Sequence, residues 1–584
     1  MRKAPPGAFR LFERVHVDDC QRIMIALRQV RFLGAILFAA TFMLSVGDRP
    51  WHSFWREWVA SLAILLMVLA AANRMRDEGR PLRVELRSLP TLAIMLAVAC
   101  WFQWAMGRLA YRGDALLASA YLVAFAACIA IARSLRPEDR ARLADDLALA
   151  MLVAALCSAP IAALQWIGTL RLELGIPVVG GRPVAHMEQT NLLCSLVLQG
   201  LFGAWRLHER GRLPRAALQA IGVVLLAVAV LTQSRVAWLV AIAVLVAWAW
   251  RQRHLALRSR GRWLAIAAGA IALGAVLLPL LDRRLGLAGM DLAERTSGGR
   301  RPDVWALFLD AVRVHPWAGW GALQNGEAQF ALADRHPSLM WLFSSAHDVV
   351  LDLMVWFGAP AGLICGGALV VAIIRRVRGA RDAAAFVTAL AAGALLLHGL
   401  VELPLQYTYF LLPFGLMLGA VDEDVTAIRA WRLPMQGPLP FALLALLPAL
   451  LLALLARDYI ALSEARPRLE YDKAADHMVL GAPFEVPDVL MLDQLQAFQA
   501  FARVPMRAGA DDAVLAALRR PMLRFPLVQA QERYARIMAL NGRVDVARDT
   551  LRRECGFMPP PSCREYHRAW RAWQAAGEPL PDWP

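Results

Sequence analysis

The stretch AALQAIGVVLLAVAVLTQSRVAWLVAIAVLVAWAWRQRHLALRSRGR, residues 216–262, decides the fold. Two apolar runs, 216–232 and 236–250, flank a short connection with a single cation, Arg235. The second run opens into a connection holding Arg251, Arg253, Arg258, Arg260 and Arg262. Uncharged runs of this length approach the ~20 residues with which an α-helix crosses a bilayer. Similar runs at roughly 30–47, 57–73, 90–107, 115–133, 145–168, 190–206, 263–281, 347–374, 383–401, 407–420 and 438–455 bring the total to thirteen. The expected fold is all-α, a polytopic membrane helical bundle. With the N-terminus inside, the connections at 74–87, 133–142, 206–215, 251–262, 375–381 and Arg429/Arg432 become cytoplasmic. Together with the N-terminal tail they hold about thirty Lys and Arg, against about seven in the short loops opposite, which fixes the expected orientation. An odd number of spans places residues 456–584 outside.

Composition agrees: 59% of residues are hydrophobic, beyond the ~45–50% of soluble domains. The net charge of +16 is largely that of the cytoplasmic arginines. They suit anionic headgroups, so membrane lipids are expected partners and nucleic acid is not. The segment before Arg31 is basic and amphipathic, with no small-residue cleavage site after the first run, so that run is expected to stay as an anchor. Six cysteines (Cys20, Cys100, Cys128, Cys157, Cys194, Cys365) lie in or beside spans without metal-binding spacing. Cys555 and Cys563 flank GFMPPPS and would be free to pair in an oxidising periplasm.

Two domains are expected. Residues 1–455 form the bundle, interrupted by a long outer loop at 282–346, and residues 456–584 form a periplasmic helical domain. Loops this long are uncommon unless functional. Within the tail, 525–555 reads as two helices broken at Asn541-Gly542, either one tetratricopeptide-like unit or a plain helical hairpin.

The unusual polar residues gather on the Arg-poor side. Arg235 sits at a membrane edge, where a cation needs a partner or must reach headgroup phosphates. GGRPVAHMEQTNLL (180–193) brings His186, Glu188, Gln189 and Asn191 to the start of the sixth span, with Thr190 or Asn191 suited to capping it. TSGGRRPDVWALFLDAVRVHPWAGWGALQNG (296–326) sets Arg300 and Arg301 before an amphipathic helix whose tryptophans suit interfacial anchoring. SSAHDVVLDLMVWFGAPAGL (344–363) opens the tenth span with His347 and Asp348. HGLVELPLQYTYFLLPFGLMLG (398–419) sets His398 and Glu402 four residues apart, expected on one helix face, with Tyr407 beyond Pro404. Such a pair suits a hydrogen bond better than a metal, which would need further ligands.

In this order, LTQSR, SGGRRPDVW…HPWAGWG, AHDVVLDLMVWFGAPAG and HGLVELPLQYTYFLLPFGLMLG resemble the O-antigen ligase and polymerase superfamily of bacterial inner-membrane glycosyltransferases. The last block and the helical tail look like its PglL-type protein O-oligosaccharyltransferases. The resemblance covers roughly residues 175–560. It implies transfer of a glycan from undecaprenyl diphosphate to an acceptor, a pilin or other periplasmic protein, on the periplasmic face without metal or other cofactor. By resemblance Arg235 matches the membrane-edge arginine, Arg300 or Arg301 the loop arginine, and His347 the catalytic histidine. Gln189 matches an outer-loop glutamine and Tyr407 the tyrosine after the Glu-x-Pro-Leu turn. The chain departs from the family at Asp348 (usually Asn), at Trp356 (usually Glu) and at Thr190 (usually Pro).

The chemistry asks for these residue types. Two arginines can meet the growing charge of a diphosphate leaving group through bidentate contacts. A hydroxyl acceptor needs a base, and neutral His347 can serve, oriented by Glu402 or Asp348. His186 and His398 are the rival bases, and Gln189, Asn191, His398 and Glu402 are the expected substrate-binding set. A single displacement inverts the anomeric centre, an outcome the resemblance suggests. Within the family the alternatives are ligation to lipid A core and polymerisation of repeat units. The alternative of another class is a polyprenol-glycan flippase or transporter, which would be expected to show mid-span charges and an internal repeat.

Overall fold

The computed structural model describes residues 29–44, 51–85, 88–168, 181–259, 261–285, 287, 299–421, 430–435, 438–474 and 486–584. Its helices begin with α1 (Gln29–Thr41), α2 (Phe54–Asp77), α3 (Leu89–Ala105), α4 (Arg112–Ser134) and α5 (Pro137–Trp166). There follow α6 (Thr190–Glu209), α7 (Arg215–Leu231), α8 (Arg235–Arg251) and α9 (Gly261–Arg284). Among the described residues, six helices are long and apolar enough to cross a membrane: α2, α4, α5, α9, Ala359–Gly379 and the apolar part, Leu439–Arg466, of the helix Pro438–Ala474. Shorter apolar helices, among them α1, α3 and α7, pack beside them, so the chain is a multi-pass helical membrane protein. In lipid such helices associate by close packing rather than by burial from water, which favours small residues at contacts.

The expected outer loop is itself folded. Residues 286 and 288–298 lie outside the described residues, as do 45–47 of the first expected span and Arg429 of the last cytoplasmic connection. Beyond them come α10 (Arg301–Val314) and α11 (Asn325–Leu332). The tenth expected span, 347–374, is not one helix. It divides at Gly358 into α12 (Val349–Phe357) and α13 (Ala359–Gly379). Gly358 has φ of +89°, a conformation that glycine adopts without strain. The two helices then run back to back, with Val350 beside Gly366 and Met354 beside Gly362, where a Cβ would lie 2.5 Å from the Met354 nitrogen. Small residues along GAPAGLICGG therefore make a tight helical hairpin where hydropathy alone reads one span.

Next come α14 (Ala383–Gly399), a 3₁₀ turn (Pro404–Gln406) and α15 (Thr408–Ala420). Strand β1 (Leu82–Glu85) pairs antiparallel with β2 (Ala430–Leu433). That ladder joins two of the Arg-rich connections. Others meet at the same end: Arg74 pairs with Asp139, Arg136 with Glu78 at 2.9 Å, and buried Arg206 with Asp145 at 2.9 Å. Arg251 donates to the Ala380 carbonyl at 2.9 Å.

The final long helix, α16 (Pro438–Ala474), runs unbroken through residue 455, where the domain boundary is expected. The tail follows as α17 (Asp493–Arg503), α18 (Asp512–Ala517), α19 (Arg519–Arg524), α20 (Val528–Leu540), α21 (Val544–Glu554) and α22 (Pro560–Ala575). Helices α20 and α21 form the expected pair, turning at Gly542, and Cys555 is bonded to Cys563. The tail is docked on the bundle end that bears the outer loop. Arg524 grips fully buried Asp114 at the start of α4 through bonds of 2.8–3.0 Å. Leu339 N–H donates to the Gly556 carbonyl at 3.0 Å, and Phe330 and Ala333 enter the tail's apolar core.

Candidate active site

Glu402 is the centre of the polar cluster at the bundle end opposite the paired strands. Helix α14 stops at Gly399, so Glu402 lies beyond it, and its backbone N–H still reaches the His398 carbonyl at 2.9 Å. The expected side-chain pair with His398 does not form. His398 is fully buried and its Nδ1 meets Ser195 Oγ instead, because the helix ends before a further turn can bring the two side chains onto one face. Glu402 Oε2 faces His347 Nδ1 at 2.7 Å. Its Oε1 accepts from Asn191 Nδ2 at 2.8 Å and from Arg301. Burial alone would raise the Glu402 carboxyl, but the hydrogen bond and charge of His347 and the Arg301 guanidinium outweigh it and hold it at about 2. A carboxylate accepting the Nδ1–H leaves Nε2 as the acceptor of the neutral imidazole.

His347 sits at φ +57° just before α12. Asp348 does not face the imidazole: it caps α12, its Oδ1 accepting from the Val350 and Leu351 N–H groups at 2.8 and 3.1 Å. Of the two carboxylates the sequence left open, Glu402 is therefore the one on the imidazole. Asn191 is likewise not a helix cap, since the N-cap of α6 is Gln189, whose side chain makes no capping bond. Asn191 instead bridges Ser234, which donates to its Oδ1 at 2.9 Å, and Glu402.

The cations divide. Arg235 begins α8 and lies within electrostatic reach of Arg301 and Glu402, its guanidinium 3.8 Å from where a Cβ on Gly299 would stand. Arg301 joins the cluster through Glu402. Arg300 turns away to the Ser338 carbonyl at 3.0 Å. Tyr407 follows the 3₁₀ turn and stacks on Tyr409, ring centroids 5.1 Å apart. His186 stands in the loop before α6, its imidazole held below the ordinary histidine range by burial and then by Arg56.

Sequence reasoning passed over Arg56, Glu57 and Asp352. Arg56 is buried and binds the Leu44 carbonyl at 2.7 Å and the His186 carbonyl, anchoring the loop that carries Gln189. Glu57 accepts from Ser53 Oγ at 2.7 Å and from the Thr408 N–H at 3.2 Å, beside Tyr407. The signal was a Trp-Arg-Glu-Trp run in the first turns of α2. Behind Glu402 opens a cavity of about 570 Å³ with apolar walls from α3, α4 and α13, polar at Glu57, Asp352, Gln406 and Tyr407, and bounded by Arg524 and Phe525 of the tail.

Residues 220–366 match the family model described as O-antigen ligase, and residues 387–560 the one described as the C-terminal part of a virulence factor membrane-bound polymerase. The first contains Arg235, Arg300, Arg301 and His347, the second His398, Glu402 and Tyr407. The chain is 28% identical over 472 residues to a general O-oligosaccharyltransferase of Acinetobacter baylyi, covering 78% of this chain and 79% of that protein. It is 26% identical over 247 residues to a ComP-specific O-oligosaccharyltransferase of the same organism, 42% of this chain and 44% of that one. The two family matches meet at the His347–Glu402 cluster, and over most of its length the chain is similar to O-oligosaccharyltransferases of the O-antigen ligase and polymerase superfamily.

Proposed function

We propose that the chain transfers an oligosaccharide from undecaprenyl diphosphate to Ser or Thr hydroxyls of periplasmic proteins, pilins among them, in one inverting displacement without a metal ion. The site would face the periplasm from a bacterial inner membrane, with thirteen spans, the N-terminus inside and residues 456–584 outside. The observation that carries the reading is the cluster in which one carboxylate, Glu402, joins an imidazole, His347, to a cation, Arg301, beside Arg235.

In this reading Arg235 and Arg301 hold the diphosphate; only one of the five N–H donors of Arg301 is spent on Glu402. The acceptor oxygen attacks the anomeric carbon as His347 Nε2 takes its proton. The bond from that carbon to the diphosphate oxygen breaks, and its electron pair leaves with the diphosphate, whose charge the arginines meet. Glu402 steadies the imidazolium until the proton passes to water. Such base catalysis contributes typically ~10²- to 10⁴-fold. Gln189 and Tyr407 are positioning groups for the substrates.

Protein acceptors are favoured by the likeness to the general and the ComP-specific O-oligosaccharyltransferases of Acinetobacter baylyi. The O-antigen ligase match over 220–366 favours lipid A core as the second acceptor to test. Intact-mass analysis of periplasmic and pilus proteins from strains with and without the gene, beside a lipopolysaccharide gel, separates the two. Glycan mass lost from protein supports the reading, and an altered lipopolysaccharide ladder with unchanged protein masses overturns it.

A further inference from the structure

Asp352 takes no part in the chemistry described above, yet it is 2% exposed and accepts four hydrogen bonds. Its Oδ1 accepts from the Ala346 N–H at 2.7 Å and from Asn325 Nδ2 at 2.8 Å. Its Oδ2 accepts from Ser345 Oγ at 2.6 Å and from Gln406 Nε2 at 2.9 Å. The donors come from three segments: helix α11, the two residues before His347, and the 3₁₀ turn after Glu402. Ser345 Oγ also accepts the His347 N–H at 2.9 Å, so the carboxylate reaches the histidine's main chain through one hydroxyl.

This arrangement answers a specific need. His347 holds a left-handed φ of +57°, which a residue with a side chain keeps only where its surroundings over-determine it. Two of the four bonds fix the chain on the N-terminal side of that strained residue. The Gln406 bond ties the same carboxylate to the turn that carries Glu402, so both halves of the 2.7 Å His347–Glu402 contact are referred to one group. An asparagine has the same shape, but its amide would set two N–H donors against groups that are themselves donors.

We infer that Asp352 is a positioning residue for the proposed reaction: it holds the strained loop and the turn so that His347 and Glu402 meet. This rests on His347 being the base. The test uses full-length protein in proteoliposomes, a synthetic polyprenyl-diphosphate-linked sugar and a periplasmic protein fraction from a strain lacking the gene, with transfer read by mass. Asp352→Asn, His347→Ala and the double variant are compared. Asp352→Asn is expected to lower kcat about 10²-fold, the scale of a lost base, with donor KM within about twofold. The double variant should equal His347→Ala, and the fall in rate at low pH, which reports the base, should flatten in Asp352→Asn. Partial misfolding would instead scale kcat down with the wild-type pH profile intact and add to the loss in His347→Ala. Either of those outcomes, or wild-type kcat in Asp352→Asn, overturns the assignment. Should Asp352→Asn fail to accumulate, Ser345→Ala deletes the hydroxyl that links the carboxylate to the His347 N–H and leaves the carboxylate in place. A smaller kcat loss with the same altered pH profile supports the inference, and an unchanged profile overturns it. Transfer retained by His347→Ala is a separate failure, removing the base and with it this inference.

Discussion

His347 Nδ1 and Glu402 Oε2 lie 2.7 Å apart across 55 residues of sequence. An anionic partner on Nδ1 fixes the tautomer of the imidazole and leaves Nε2 to accept a proton. Glu402→Gln is therefore expected to reduce kcat about tenfold or more. Turnover of the purified variant checks this, and wild-type kcat would separate Glu402 from the base.

The same carboxylate couples stability to pH. Its folded value, about 2, lies below its ordinary 4.5, so its stabilisation is fully present above the ordinary value and is lost as pH falls from there towards 2. Thermal unfolding of detergent-solubilised protein should show a steeper loss of Tm across that window in the wild type than in Glu402→Gln. Parallel curves would contradict the shift.

Arg300 and Arg301 are adjacent in sequence but differ in their partners. Arg301→Lys is expected to reduce turnover by about 10- to 100-fold at wild-type abundance, because an ammonium cannot reproduce the guanidinium fork. Arg235→Lys should do the same, and Arg300→Ala, whose guanidinium holds the Ser338 carbonyl, should cost less. Full activity in both Arg235→Ala and Arg301→Ala would reduce these residues to lipid anchors.

Removing Arg524 leaves Asp114 buried and without its main counter-charge. Loss of one partner from a buried pair costs about 3–5 kcal/mol. The tail should therefore undock in Arg524→Ala, seen as faster proteolysis between residues 486 and 584 and a lower Tm. A cleavage pattern identical to wild type would show that the remaining contacts, those of Phe330, Ala333 and Leu339 among them, hold the tail without this ion pair.

Orientation is tested with reporters. Alkaline phosphatase fused after Asp488 is expected to be active and a fusion at Arg258 inactive. The reverse result would turn over the periplasmic assignment of the whole site.

Hydropathy is local, so most helices were legible without the fold. The tenth span was not, because the signal that divides it lies in Gly358 and in the spacing of Gly362 and Gly366, which a sum of hydropathy ignores. His347 and Arg235 were singled out by motif. The sequence left Glu402 and Asp348 open as partners of His347, and the expected Glu402–His398 contact fails for a geometric reason: the i, i+4 rule holds only while the helix continues, and α14 ends at Gly399. Asp352 read as part of an apolar span, although a carboxylate there is costly unless fully satisfied, and that cost was the available clue. Arg56 and Glu57 were passed over because they sit where a loop becomes a helix, and their partners are supplied by residues distant in sequence.

The Gly358 hairpin also sets a depth. Because α12 runs antiparallel to α13, His347 stands at the foot of the hairpin, and nine residues at about 1.5 Å each put it about 13 Å below the turn, measured along the helix axis. A hydroxyl on the rigid face of a folded domain resting on that turn would stop short of the imidazole. On the proposed chemistry reach would then act as a filter, favouring an acceptor hydroxyl on a slender projection such as a chain terminus or a loop.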